Sequence, residues 1–230
     1  MLPHVSPEVG MISPRTRARM VARLRKDGIA DERVLAVMAE LPRHLFVAEA
    51  LSSRAYEPIS LPIGFGQTIS QPWVVARMLE VLLREVAPQR VLEIGTGSGY
   101  HAALLAMLGM EVFSIERIEA LQRRAAATLG KLGLRPHLRH GDGALGWPER
   151  APFDAIVFTA AVPCALPPLF AQLRPGGILL MPMEEDGQQR LCLRRWDGAR
   201  IQEQDLGPCH FVPLLAGTVS LSQEDTTWIR

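Results

Sequence analysis

The chain has 230 residues, 48% of them hydrophobic, and its 25 Lys+Arg against 24 Asp+Glu leave a formal net charge of +1. That size and apolar content suffice for one large core without disulfide or metal staples. The even charge balance excludes the basic footprint expected of a nucleic-acid or anionic-membrane binder. Cys164, Cys192 and Cys209 are widely spaced and form neither a metal-ligand cluster nor a disulfide framework, which fits a reducing, cytoplasmic compartment with no metal site. No apolar run of about 18 residues escapes charges and breakers, so no membrane-spanning helix is expected.

Residues 1–14 contain three prolines and lack the charged-then-apolar order of a signal peptide, and they read as a loose tail. Arg15, Arg17, Arg19, Arg23, Arg25 and Lys26 follow as a basic cluster on a solvated helix face. Met20, Val21 and Leu24 repeat at helical spacing, Gly28 stops that helix, and Asp31 is placed to cap a second one through Met38. A long connection rich in Pro, Gly and Ser runs from Leu41 to Pro72. Its apolar residues, among them Phe46, Tyr56, Ile63 and Ile69, predict packing and hence a functional loop. Trp73–Val86 reads as an amphipathic helix.

From Arg90 strands and helices alternate. Strands are expected at Val91–Ile94, Glu111–Ile115, Pro136–His140, Phe153–Thr159 and Gly177–Pro182, with helices at Tyr100–Leu108, Ile118–Leu132 and Pro168–Leu173. Gln189–Trp196 and Arg200–Leu206 resemble a late antiparallel pair. Apolar strands joined by helical crossovers imply a sheet covered on both faces. The expected fold is therefore α/β: a doubly wound, mostly parallel, Rossmann-like sheet with an N-terminal helical extension and late antiparallel strands. Its parts are the tail 1–14, the helices and loop 15–72 and the core 73–230, all in one compact domain.

Glu93-Ile94-Gly95-Thr96-Gly97-Ser98-Gly99-Tyr100 lies directly between the first core strand and its helix. Glycines there allow a sharp turn and a close approach of ligand to backbone. The spacing is Gly-x-Gly-x-Gly rather than the Gly-x-Gly-x-x-Gly that aims a helix at a pyrophosphate. An acid two residues before the first glycine suits a cationic ligand such as S-adenosylmethionine and would be awkward beside a pyrophosphate. Glu116, at the end of the second strand, can accept from ribose hydroxyls, and Asp142-Gly143, after the third, can meet the adenine amine. Each acid alone could be a helix cap or turn residue. Three at consecutive strand ends indicate a site for S-adenosylmethionine, with S-adenosylhomocysteine as product.

An Asn/Asp-Pro-Pro-aromatic tetrad, frequent in enzymes that methylate base or amide nitrogens, is absent; the corresponding stretch reads Phe158-Thr-Ala-Ala-Val-Pro163. Leu41-Pro42-Arg43-His44-Leu45-Phe46-Val47, Ala55–Ile59 and Ile63-Gly64-Phe65-Gly66-Gln67-Thr68-Ile69-Ser70-Gln71-Pro72 resemble segments of the protein-L-isoaspartate O-methyltransferase family. So do Leu92–Tyr100, Asp142-Gly143, Ala151–Ile156, Leu173–Gly177 and Phe211–Leu214, so that the resemblance covers about residues 20–215. It implies that Ser70 is the active-site serine, that Gln67, Thr68, Ile69 and Ser70 wall the cofactor, and that Glu93, Gly95, Gly97, Gly99, Glu116, Asp142 and Gly143 hold it. The implied acceptor is the free α-carboxylate of an L-isoaspartyl residue in damaged proteins and peptides. A carboxylate is already an anion at neutral pH and needs no general base, so a serine hydroxyl orients it where a lysine would quench it. Taken without the resemblance, Ser70 reads as a helix N-cap before Pro72. No Gly-x-Ser-x-Gly elbow or Ser–His pair is visible.

Cys164, where the family often has a polar residue, and Leu215-Ala216, where it has a more polar stretch, depart from the family pattern. Two other readings remain: a related methyltransferase acting on another carboxylate, and a non-catalytic module that keeps the fold.

Overall fold

The computed structural model describes residues 14–163, 167–197 and 200–220. The N-terminal extension begins with α1 (Pro14–Lys26) and α2 (Glu32–Glu40). Pro14, expected in the tail, instead opens α1, where its missing N–H costs nothing. Gly28 turns the chain between the helices at φ +97°. Asp31 caps α2 as expected, its side chain accepting from the Arg33 amide. The connection from Leu41 to Pro72 carries order that its composition hides: two short 3-10 turns, Arg43–Phe46 and Glu49–Arg54, then a hairpin of β1 (Leu61–Gly64) and β2 (Gln67–Ile69).

After α3 (Pro72–Glu85) come β3 (Arg90–Ile94), α4 (Tyr100–Met107), β4 (Glu111–Glu116), α5 (Glu119–Lys131), β5 (His137–His140) and β6 (Phe153–Phe158). The short α6 (Pro167–Phe170) leads to β7 (Leu173–Glu185), β8 (Gln188–Trp196) and β9 (Ile201–Pro208). The last seven strands form one sheet in the order β5-β4-β3-β6-β7-β8-β9. The first five of that order pair in parallel, and β8 and β9 add antiparallel pairings, matching the expected class. β7 starts four residues before its expected first residue because Leu173 already pairs with Phe153 of β6, and the ladder shifts register across Arg174–Gly177 before it resumes at Ile178 opposite Ala155.

The central strands are buried on both faces, as covered parallel strands must be. One apolar cluster runs from Met20 and Leu35 of the extension through Val75 and Leu79 of α3 to Val91 and Ala155, so the extension packs on the sheet. A second fills the other face around Phe113, Phe153 and Phe158. No helix among the described residues is long and apolar enough to cross a membrane.

Because β4 and β5 extend one way from β3 while β6 and β7 extend the other, the chain reverses direction beside β3. Open α/β sheets form their ligand crevice at such a point, beyond the carboxyl ends of the strands.

Candidate functional site

The chain leaving β3 turns at once, with Gly95, Gly97 and Gly99 at φ +100°, +54° and +87°. Gly95 donates to the Ile115 carbonyl of β4, 2.8 Å. Thr159, just past β6, donates its amide to the Ile94 carbonyl and its hydroxyl to the carbonyls of Ile94 and Gly95. A Cβ on Gly95 would lie 2.4 Å from the Thr159 Oγ1, and one on Gly143 would lie 2.4 Å from the Ile94 Cγ2. At both places only a glycine lets the turn pack this closely on its neighbours, and both residues line the crevice.

Glu116 ends β4 against this turn. Its Oε2 accepts from the Gly97 amide at 2.8 Å and its Oε1 from the Ile118 amide at 3.0 Å. Burial pushes its carboxyl above the usual range, against the downward pull of those backbone donors. Each oxygen keeps a second lone pair.

The opposite wall comes from the extension. Arg124 of α5 donates to the Ile63 carbonyl and so ties down the β1–β2 hairpin. Arg43 is fully buried, donating Nε to the Ala55 carbonyl at 2.7 Å and Nη2 to the Ser70 carbonyl at 2.6 Å, with its guanidinium 4.7 Å from the Tyr100 ring centre. Burial lowers its pKa and raises that of the Tyr100 phenol to about 12. The N-cap of α3 is Gln71, without a side-chain capping bond, and not Ser70. Ser70, half-buried, keeps its hydroxyl free of the hydrogen bonds that a cap would make.

A third wall is supplied from far along the chain. Ala161 donates to the Val212 carbonyl and accepts from the Leu214 amide, drawing residues 211–215 across the end of β6. Farther on, the Gly217 amide donates to Asp142 Oδ2 at 2.6 Å, and Val219 donates to the Arg117 carbonyl.

Between these walls lies an open cleft. Gln67, Thr68, Ile69, Ser70, Gly95, Gly97, Glu116 and Gly143, all expected at a cofactor site, line it. Three expected residues do not. Glu93 lies beneath the turn, fully buried, its Oε1 2.9 Å from His101 Nδ1 and its Oε2 accepting from the Ser114 hydroxyl. Gly99 faces α5, where a Cβ would meet Leu129 at 3.1 Å and Ala125 at 3.2 Å. Asp142 caps a 3-10 turn through the Ala144 amide and holds Gly217. Lining residues not expected at the cofactor site include Thr159, His101 and Arg117, together with Phe211–Leu215. The resemblance of Phe211–Leu214 was the one available signal for the last group. Cys164 lies outside the described residues. No cluster of His, Cys, Asp and Glu that could hold a metal occurs among the described residues.

The sequence profile of the family described as protein-L-isoaspartate(D-aspartate) O-methyltransferase matches residues 15–219. A protein-L-isoaspartate O-methyltransferase of Xanthomonas axonopodis pv. citri is 54% identical over 91% of this chain and 93% of its own length. Another, from Marinobacter nauticus, is 53% identical over 92% and 96%. Among solved structures, one described as a protein-L-isoaspartate O-methyltransferase superposes with a TM-score of 0.79 at 27% identity, covering 93% of this chain and 70% of that one. A Plasmodium falciparum chain assigned to the same enzyme class, crystallised with S-adenosyl-L-homocysteine, gives 0.77 at 24% identity, covering 86% and 98%, and shares the fold.

Proposed function

The chain belongs to the protein-L-isoaspartate(D-aspartate) O-methyltransferase family, and from that premise we propose how its own residues carry the reaction. It is an S-adenosylmethionine-dependent carboxyl O-methyltransferase acting on the free α-carboxylate of isoaspartyl residues, the first step in repairing damaged proteins. The observation that carries the assignment of residues is one cleft in which the Ser70 loop faces the glycine turn and Glu116.

The cleft fits the methyl donor on its own geometry. Gly95 and Gly143 let the turn pack directly on Thr159 and Ile94 while both line the cleft, and Glu116 offers two free lone pairs at the end of β4. We assign Glu116 to the ribose hydroxyls, Gly95, Gly97 and Gly143 to close backbone contact, and residues 67–70 to the wall beside the reacting group. Gly99 and Asp142 support this site from behind, by packing α4 on α5 and by holding the 211–219 segment. When bound, S-adenosylmethionine supplies an electrophilic methyl group on a cationic sulfur.

The acceptor arrives ionised, so the protein has no proton to remove. Its task is to align the carboxylate and keep water out, effects worth up to roughly 7–11 kcal/mol in favourable intramolecular cases. Ser70 donates one hydrogen bond to the acceptor carboxylate, fixing its direction while leaving its charge available. The backbone of residues 211–215 forms the rest of the acceptor channel, and its departures at Leu215 and Ala216 bear on which peptides enter. Residues 15–72 deliver the acceptor loop and residues 73–230 the donor site, in one domain. The balanced charge supports protein clients rather than nucleic acid or membrane, and the cysteine usage supports a cytoplasmic location.

Labelled donor and paired peptides containing isoaspartate or ordinary aspartate test the acceptor class. Labelling confined to the isoaspartyl peptide is expected; equal labelling of both would assign the chain to a broader carboxylate methyltransferase. Ser70→Ala is expected to lower turnover about tenfold or more, the value of one hydrogen bond to a charged group, with donor affinity by calorimetry nearly unchanged. Wild-type turnover would remove Ser70 from the reaction. Glu116→Ala is expected to weaken donor binding by about 1–3 kcal/mol, since it deletes the ribose acceptor and unties the Gly97 amide. Unaltered affinity would refute the ribose assignment.

A further inference from the structure

The fully buried Glu93 carboxylate is expected from sequence to meet a cation, yet it does not reach the cleft. Its Oε2 is taken by the Ser114 hydroxyl, to which Thr96 Oγ1 lies 2.6 Å away; with the Ser114 proton committed to Glu93, Thr96 is the donor of that second bond. Its Oε1 faces His101 Nδ1 at 2.9 Å. A carboxylate accepts and does not donate, so Nδ1 carries the proton and the ring is turned with Nε2 away from Glu93. His101, in the first turn of α4, is only 7% exposed at its side chain and lines the cleft beside the glycine turn. Its Nε2 is buried and has no hydrogen-bond partner among the described residues. A buried polar atom without a partner is costly, by roughly 1–3 kcal/mol, and calls for a ligand or a water.

Resting on the S-adenosylmethionine reading, we propose that His101 Nε2 accepts a hydrogen bond from the α-ammonium of the donor's methionine moiety, with Glu93 acting through the imidazole as a positioning residue. The order of groups is then Thr96 to Ser114 to Glu93, with Glu93 fixing the His101 tautomer and His101 presenting the lone pair to the cleft. The negative charge expected to act directly on the cation acts one ring away from it. The arrangement also explains how a carboxylate can be entirely withdrawn from the cleft and still select a cationic amine: a neutral imidazole holding its one proton toward Glu93 has only an acceptor left to offer. A donor lacking that amine leaves Nε2 without a partner, as it is in the free protein, and gains nothing from His101.

Titration calorimetry with two ligands tests this on the full chain: S-adenosylhomocysteine, and its deaminated analogue, which keeps the carboxylate and replaces the ammonium with hydrogen. The variants are His101→Phe, which keeps the ring's bulk, and His101→Gln, whose amide can still donate to Glu93 so that the turn stays supported. Thermal melting reports which variants are folded, and either one suffices. Each is expected to bind S-adenosylhomocysteine roughly tenfold or more weakly than wild type and the deaminated analogue within twofold of wild type. Equal losses for both ligands would mean that His101 only shapes the turn, and no loss for either would mean that it touches neither; both results overturn the assignment alone. Wild-type protein that binds neither ligand would overturn the cofactor reading together with this one.

Discussion

Gly95→Ala is expected to abolish measurable donor binding and to destabilise the fold by about 2–4 kcal/mol. The new Cβ would stand 2.4 Å from Thr159 Oγ1, and that hydroxyl cannot swing aside freely, because it donates to the carbonyls of Ile94 and Gly95. A residue with a side chain at φ +100° adds strain of roughly 1–2 kcal/mol, and each lost hydrogen bond adds about 0.5–1.5. The turn must open, and the backbone that lines the cleft moves with it. Gly109→Ala is the matched control, since its φ is +89° but no atom lies within 4 Å of the added Cβ. It should show the conformational strain alone and retain donor affinity. Thr159→Ala combined with Gly95→Ala should recover part of the lost affinity by removing the colliding atom. Calorimetry and thermal melting read all three. A Gly95→Ala protein with normal donor affinity would show that the turn does not touch the ligand.

The same turn shows how far the sequence reaches. Gly95 and Glu116 are legible because a ligand-binding turn needs bare backbone and an acid at a strand end, both local features. The parallel strands were equally plain, since β3 and β6 are short apolar runs flanked by breakers. The β1–β2 hairpin was not: Pro62 and the Gly64–Gly66 stretch look like loop, and the pairing of Leu61 with Ile69 spans only three registered positions. Its order comes from outside, from Arg124 holding Ile63 and Arg43 holding Ser70. Within the site, sequence position predicted which loop each residue occupies but not which way its side chain points. Glu93 and Ile94 are adjacent in β3 and point to opposite faces, so one supports the turn from below and the other lines the cleft. Gly99 and Asp142 were expected at the ligand, and the structure packs the first on Leu129 and bonds the second to Gly217, so that neither is among the residues lining the cleft. The wall at 211–215 stands about 50 residues beyond Ala161, the residue that pins it. No local pattern encodes that contact.

Arg43 is the place where the extension and the reaction meet. Its guanidinium is fully buried, and it joins the 3-10 turn at Ala55 to the backbone of Ser70 through two hydrogen bonds while lying over Tyr100. Arg43→Met fills much of the volume but leaves the buried Ala55 carbonyl and the part-buried Ser70 carbonyl without this donor, at about 1–3 kcal/mol for the first and less for the second. Removal of an expensively desolvated cation offsets part of that, so a net loss of about 2–4 kcal/mol is expected. For a chain of this size the melting midpoint should fall by roughly 4–16 °C. Arg43→Lys should be intermediate, because an ammonium lacks the planar fork that reaches two carbonyls at once. Turnover distinguishes packing from positioning. With Ser70 released at its carbonyl, kcat should fall in Arg43→Lys at temperatures where the protein is fully folded, while donor affinity at the glycine turn holds. A folded Arg43→Lys enzyme with wild-type kcat would mean that the Ser70 loop is held by the hairpin alone.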